Sequence, residues 1–289
     1  MGKFSSTGNF NVEGNIMSLE FSDEFKNKDT LNAEYAFRNL FSGCTHLISA
    51  ENLLLPAKTF TRAWPYAFMF EGCTSLTIGP SELPATTLTG YCYQSMFNGC
   101  TSLTTAPELP ATTLASYCYW HMFDGCTSLT VAPELPATTL AGFCYQYMFN
   151  NCTSLTTTPE LPATTLQQRC YGYMFYGCTS LTTASALSAT TLAQNCCSYM
   201  FANCTSLTTA PELHATTLAS YCYTYMFYNC TSLNYIKAMF TTTPAQLYTQ
   251  NWVNGVASSG TFVKNSAATW TGTGFNYVPT GWTIETASS

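Results

Sequence analysis

Charge is scarce in this chain of 289 residues. Lys, Arg, Asp and Glu make up 8% of it, against about 25% in an ordinary soluble domain. With a hydrophobic fraction of 46%, that scarcity excludes a disordered chain held open by its own charges. Basic residues are rarer still, nine against fifteen acidic ones, for a formal net charge of −6. No basic stripe is available for a phosphate backbone or an anionic lipid surface, so nucleic acid is not expected as a partner. No run of eighteen apolar residues occurs, so no insertion into a membrane is expected. The opening MGKFSSTGNF has no apolar segment of the kind that directs secretion, and synthesis and folding are expected in the cytoplasm. Gly2 followed by Ser6 matches an N-myristoylation pattern, but one so short that it recurs by accident. Histidine is nearly absent as well. His46, His121 and His214 fall in three different phases of the sequence repeat, and nothing orders them about a nucleophile. The chain is therefore read as a non-enzyme without a cofactor.

What is abundant is repetition. Cys-Thr-x-Leu occurs eight times, beginning at Cys44, Cys73, Cys100, Cys126, Cys152, Cys178, Cys204 and Cys230, and the last six are 26 residues apart. A fixed period of this length signals a solenoid. Within one unit, Leu114, Cys118, Met122 and Cys126 recur every four residues and predict an inward stripe on a short helix beside Phe123. Thr112 or Thr113 is the expected N-cap. The residue before each repeat cysteine is always Gly or Asn, the two residues that enter the left-handed conformation at least cost, and it predicts the helix stop. Leu103–Ala106 reads as a short strand, bent away at Pro107 and Pro110. The expected fold is thus an α/β solenoid of about eight coils, each a short parallel strand plus a short helix, the design of the leucine-rich repeat. Residues 41–233 form the solenoid. Residues 1–40, with alternating strands around a Gly14-Asn15 turn, and residues 234–289 are expected to be irregular β-rich caps that cover its open edges.

The run from Met96 to Leu114, Met-Phe-x-Gly-Cys-Thr-Ser-Leu-Thr-x-Ala-Pro-Glu-Leu-Pro-Ala-Thr-Thr-Leu, resembles the BspA-like leucine-rich repeat proteins of gut and oral bacteria and of the phages that infect gut bacteria. The resemblance covers about residues 37 to 240. It implies a surface adhesin that recognises a protein or glycan on a cell. The alternative is a structural or receptor-binding component of a phage tail or tail-like particle, which would bring a chain without a secretion signal to the outside of the cell.

Fourteen of the fifteen cysteines fall in two repeat columns. One holds the eight named above, the other Cys92, Cys118, Cys144, Cys170, Cys196 and Cys222, leaving Cys197 over. No Cys-x-x-Cys pair suits zinc, and parallel side chains in register do not converge as a disulfide requires. The thiols are therefore read as buried small hydrophobes, with no metal. Leu-Pro-Ala-Thr-Thr, at Leu83, Leu109, Leu135 and Leu161, lacks the glycine of a sortase signal and reads as a turn. The Asn-Cys-Thr triplets at Asn151, Asn203 and Asn229 fit a glycosylation sequon by chance. Glu82, Glu108, Glu134, Glu160 and Glu212 share one phase and form an acidic ladder, expected to be solvated or to contact cations.

Binding is the function left. Positions that vary from unit to unit lie away from the predicted inward stripe and are aromatic where a solvated face would drift to Lys, Glu and Ser. Tyr and Trp dominate contact energy in binding surfaces. The middle units supply the most distinctive set, Trp120, His121, Tyr147, Arg169 and Tyr173, which is the candidate binding site. The opposite face, with Thr77, Thr104, Thr130, Thr156, Thr182 and Thr208 in one column, is monotonous and suits only a repetitive ligand such as a glycan.

Overall fold

The computed structural model describes residues 4–287; the acylation pattern at Gly2 lies outside the described residues. The chain winds as a parallel solenoid of about ten coils. At its start, β1 (Phe10–Asn11), β2 (Gly14–Asn15) and β3 (Thr30–Leu31) pair in parallel with β4 (Leu47–Ser49), β5 (Leu53–Leu54) and β6 (Thr59–Phe60). At its end, β7 (Tyr235–Ala238), β8 (Thr261–Lys264) and β9 (Thr283–Thr286) form a parallel three-stranded sheet in that order. Gly14-Asn15 is therefore a strand and not the turn of a hairpin. Both terminal segments wind in the same sense as the repeats, which is why the coils outnumber the eight Cys-Thr-x-Leu signatures. Between the ends, strand contact shrinks to single parallel bridges, among them Ile78 with Thr105, Thr157 with Thr183, and Leu187 with Leu213.

The repeats carry no helix. Among the described residues the helical segments are the single turn Ser18–Phe21 and the 3₁₀ segment Ser22–Asn27. The expected repeat helix is instead a chain of turns with two alternating hydrogen-bond directions. In one coil the N–H groups of Tyr93, Ser95, Phe97 and Gly99 donate to the carbonyls of Cys118, Trp120, Met122 and Asp124 of the next coil at 2.9, 2.8, 2.9 and 2.7 Å. The N–H groups between them, on Gln94, Met96, Asn98 and Cys100, donate back three residues to Tyr91, Tyr93, Ser95 and Phe97 at 3.0–3.2 Å. Every fourth residue takes a positive φ, as Tyr91 (61°), Ser95 (51°) and Gly99 (71°) do.

A strict period of four explains the outcome. Four residues of an α-helix advance 400°, so a stripe spaced by four drifts by about 40° per step and leaves the core within three steps. A turn that closes every four residues holds the stripe in register and frees half of the backbone to bind the next coil. Its cost is a left-handed residue in each turn. The Gly/Asn column before the repeat cysteines meets that cost cheaply, from Gly43 (74°) to Asn229 (56°), with the left-handed conformation that the sequence predicts there.

The inward columns are continuous and buried. Phe41, Phe70, Phe97, Phe123, Phe149, Phe175, Phe201 and Phe227 stack at centroid distances of 5.3–5.8 Å. A parallel column runs from Phe37 through Tyr66, Tyr93, Tyr119 and Tyr145 to Tyr171 at 5.6–6.0 Å. Cys197 stands at the next place in that column, before Tyr223, which accounts for the one cysteine outside the two columns. All fifteen cysteines are buried, and those from Cys92 to Cys230 are free thiols. The first column also forms polar contacts. Cys100 donates to the Phe70 carbonyl at 3.0 Å, and Cys126 to Phe97 and Cys152 to Phe123 at 3.1 Å. A thiol fills the volume of a small apolar group while offering a weak donor to a carbonyl of the coil before.

Candidate binding surface

Most residues at positive φ inside the turns are variable aromatic positions of the sequence. Tyr117 (60°), His121 (55°), Phe143 (62°), Tyr147 (59°), Arg169 (53°), Tyr173 (56°), Tyr199 (57°) and Tyr225 (55°) all take it. Such a conformation costs a non-glycine residue about 1–3 kcal/mol. Stacking offsets it, since each aromatic pair contributes about 0.5–1.5 kcal/mol beyond its burial. Two ladders result, half-buried except at the exposed Tyr35. One runs Tyr35, Trp64, Tyr91, Tyr117, Phe143, with ring centroids 4.5–5.3 Å apart. The other runs His121, Tyr147, Tyr173, Tyr199, Tyr225 at 4.4–4.6 Å. Because ring faces meet ring faces, the ladders offer a partner their edges and hydroxyls.

Four of the five residues singled out from the sequence come together here. His121, Tyr147 and Tyr173 are consecutive rungs, and Trp120 meets the His121 ring edge-on at 4.8 Å. Arg169 is on the neighbouring ladder, its guanidinium over the Phe143 ring at 5.8 Å, where it continues the stack in place of an aromatic. The reason is phase. Arg169 lies three residues past its repeat leucine and the other rungs lie seven past theirs, which on a turn of four puts them on adjacent columns.

The structure adds residues that the sequence does not single out. His121 Nδ1 and Asp124 Oδ2 are 2.7 Å apart, and Asn150 Nδ2 donates to Asp124 Oδ1 at 2.7 Å. Trp120 also packs edge-on against Tyr117 at 5.6 Å. The spacing of three between His121 and Asp124 is visible in the sequence; that Asn150, one coil on, completes the chain follows only from the 26-residue register. Burial pushes the phenols of Tyr117 and Tyr147 above the ordinary tyrosine value. It does the same to Tyr173, where the adjacent phenols of Tyr147 and Tyr199 add to the effect. These three phenols are therefore uncharged at neutral pH and act through hydrogen bonding and apolar contact.

The acidic ladder is on another flank. Glu82, Glu108, Glu134 and Glu160 are exposed, while Glu212 is half-buried and accepts from Lys237 Nζ at 2.8 Å. Among the described residues no group of three or more His, Cys, Asp or Glu side chains could hold a metal ion. The threonine face satisfies itself: Thr104 Oγ1 donates to the Thr77 carbonyl at 3.1 Å and Thr182 Oγ1 to Thr156 at 3.3 Å, each reaching one coil back. No helix among the described residues is long and apolar enough to cross a membrane.

Compared with known proteins, the chain is matched by a family model described as the BspA type leucine rich repeat region, in six copies, over residues 15–156, 66–195 and 143–249. Among curated proteins none matches the sequence.

Proposed function

The chain belongs to the BspA-type leucine-rich repeat family, and we propose on that premise that it is a non-enzymatic adhesion protein that engages a protein on a cell surface. The family points to a binding scaffold; the contact surface is our assignment. It is the face where Trp120, His121, Tyr147 and Tyr173 meet and Arg169 stands alongside. The observation that carries this reading is the departure from repeated tyrosine in the middle coils. Tyrosine rungs repeat toward Tyr225, whereas three successive coils around His121 and Arg169 bring an indole, an imidazole paired with a carboxylate, and a guanidinium. A unique protein epitope needs such unique chemistry, and aromatic and Arg anchors are where interface energy concentrates.

Labelled protein applied to whole bacterial and epithelial cells, with and without prior protease treatment, tests the reading. Saturable, protease-sensitive attachment is expected. Trp120→Ala combined with Arg169→Ala should weaken it at least about thirtyfold, the equivalent of roughly 2 kcal/mol for one truncated anchor. The melting temperature should stay within a few degrees, because the change leaves the inward columns intact. Normal attachment of that double mutant, together with loss of attachment on replacing Thr130 and Thr156, moves the site to the threonine face and makes the ligand a glycan.

A further inference from the structure

Two series of the backbone bridges that tie coil to coil break at the same coil. On the flank that carries the prolines, bridges join Ser49, Ile78 and Thr105 in turn, and then Thr157, Thr183, Thr209 and Tyr235. A second series joins Glu82 to Glu108, and then Leu161, Leu187, Leu213 and Ala238. Both series skip the coil between. Among the described residues, segment 131–137 takes part in no bridge and in no backbone hydrogen bond, as donor or acceptor. A cleft of about 450 Å³ opens on each side of it, one shared with residues 106–110 and one with residues 157–162.

Proline contributes to the opening. Pro80 and Pro84, Pro107 and Pro110, Pro133 and Pro136, and Pro159 and Pro162 fall on four successive coils, and each removes an N–H that could otherwise reach the neighbour. The first two of these coils still pair through Glu108, and the last two proline pairs flank the open seam. Where serine replaces the first proline, at Ser185, the seam closes: its N–H donates to Thr158 Oγ1 at 2.7 Å and its hydroxyl to the Thr158 carbonyl at 3.1 Å.

The open segment has three properties of a strand-receiving edge. Its N–H and C=O groups are unpaired, as at the edge of a sheet. Val131 presents an apolar side chain that is 64% exposed. The clefts are lined by Glu108, Glu134 and Glu160, with no basic side chain among their lining residues. We propose that segment 131–137 and its flanking clefts bind an extended peptide segment, with apolar residues on either side of one Lys or Arg. The peptide's main chain pairs with the unpaired backbone, which supplies affinity, and the alternation of its side chains supplies selectivity. Its cation sits between the carboxylates of Glu134 and Glu160, or of Glu108 and Glu134. This surface is separate from the aromatic face, and its occupation does not depend on what that face binds.

The test uses the full chain and a fluorescein-labelled peptide of sequence Val-Thr-Val-Arg-Val-Thr, followed by anisotropy. Three comparisons are read. Replacing the peptide's Arg by Glu, or Glu134→Gln combined with Glu160→Gln in the protein, should weaken binding about tenfold or more, with the wild-type interaction weakening as salt rises. N-methylating alternate peptide amides, which removes main-chain donors, should abolish binding. Ala132→Thr combined with Pro159→Ser transplants the Thr158–Ser185 pairing one coil earlier, and should close the cleft and abolish binding at an unchanged melting temperature. Trp120→Ala combined with Arg169→Ala should leave binding of this peptide unaltered. No saturable binding of the Arg peptide up to millimolar concentration overturns the proposal. So does equal binding of the Glu or N-methylated peptide, comparisons that stand even if the closed variant does not fold.

Discussion

A buried phenol needs a partner, and among the described residues the hydroxyls of Tyr66 and Tyr119 in this core have none. Tyr119 lies in the middle of its column, 1% exposed, between the rings of Tyr93 and Tyr145 at 5.7 Å. An unsatisfied buried polar group costs about 1–3 kcal/mol, whereas the ring itself contributes packing and stacking. Separating the two contributions gives a test: Tyr119→Phe keeps the ring and removes the hydroxyl, and is expected to leave stability unchanged or raise it by up to about 2 kcal/mol. Denaturant unfolding measures this, and a loss of 1 kcal/mol or more would show that the hydroxyl is bonded after all. At the same scale the burial of the cysteines is legible in the sequence. Two columns at the repeat period predict buried thiols, whereas the place of Cys197 emerges only when the tyrosines are seen to form a column of their own.

At the scale of the element, the turn chain and a helix make opposite demands on one residue. Asn195 has φ 55° and accepts from the Ser198 N–H three residues on at 3.2 Å. In a helix interior, Ala at this position would be about 1 kcal/mol more stable than Gly. In a turn that needs a positive φ the order reverses, since a Cβ there costs about 1–3 kcal/mol that glycine avoids. Asn195→Gly is therefore expected to unfold at higher denaturant than Asn195→Ala by the equivalent of about 1 kcal/mol, and the reverse order would restore the helix. The pair also locates what the sequence conceals. Gly and Asn before each cysteine correctly mark a left-handed residue, yet the same conformation at Tyr117, His121 or Arg169 leaves no compositional trace, because stacking against the next coil offsets its strain. Period four passes for a helix only if 3.6 is rounded up, and the rounding error accumulates along the stripe. It affects the site only in part: rungs of equal phase, His121, Tyr147 and Tyr173, stand together as the sequence predicts, and Arg169, offset by four, falls one ladder away.

For the whole molecule, a composition poor in charge and rich in buried thiol makes alkaline pH the weak point of its stability. Few surface charges are available to titrate, but the core holds a dozen thiols whose ionisation burial opposes. It raises Cys92, Cys100, Cys118, Cys126, Cys144, Cys152, Cys170, Cys178, Cys197, Cys204 and Cys222 above the ordinary thiol value, and Cys230 to about 12. The buried phenols of Tyr66, Tyr93, Tyr119, Tyr145, Tyr171 and Tyr223 move the same way for the same reason. In the unfolded chain thiols ionise at about pH 8.5. A folded value above the unfolded one means stability that is complete below about pH 8.5 and is lost as pH rises toward the folded values. Each group ionised when unfolded but protonated when folded removes about 1.4 kcal/mol per pH unit. One such group would be lost in the stability of a chain this long, but a dozen act together, and coils that contact only their neighbours share their loss through every interface. Melting followed by circular dichroism should accordingly hold a flat midpoint from about pH 7 to about 8.5, then fall steeply, with the chain unfolding at room temperature within about two further units. In step with that fall, and not before it, thiol-specific reagents should begin to label the cysteines rapidly, because a thiol held protonated in the core is no nucleophile. A midpoint that stays level through about pH 10.5, or fast labelling at about pH 8 in the folded state, would show that the columns are open to solvent and that the core is not the dry stack of thiols and rings that holds the coils together.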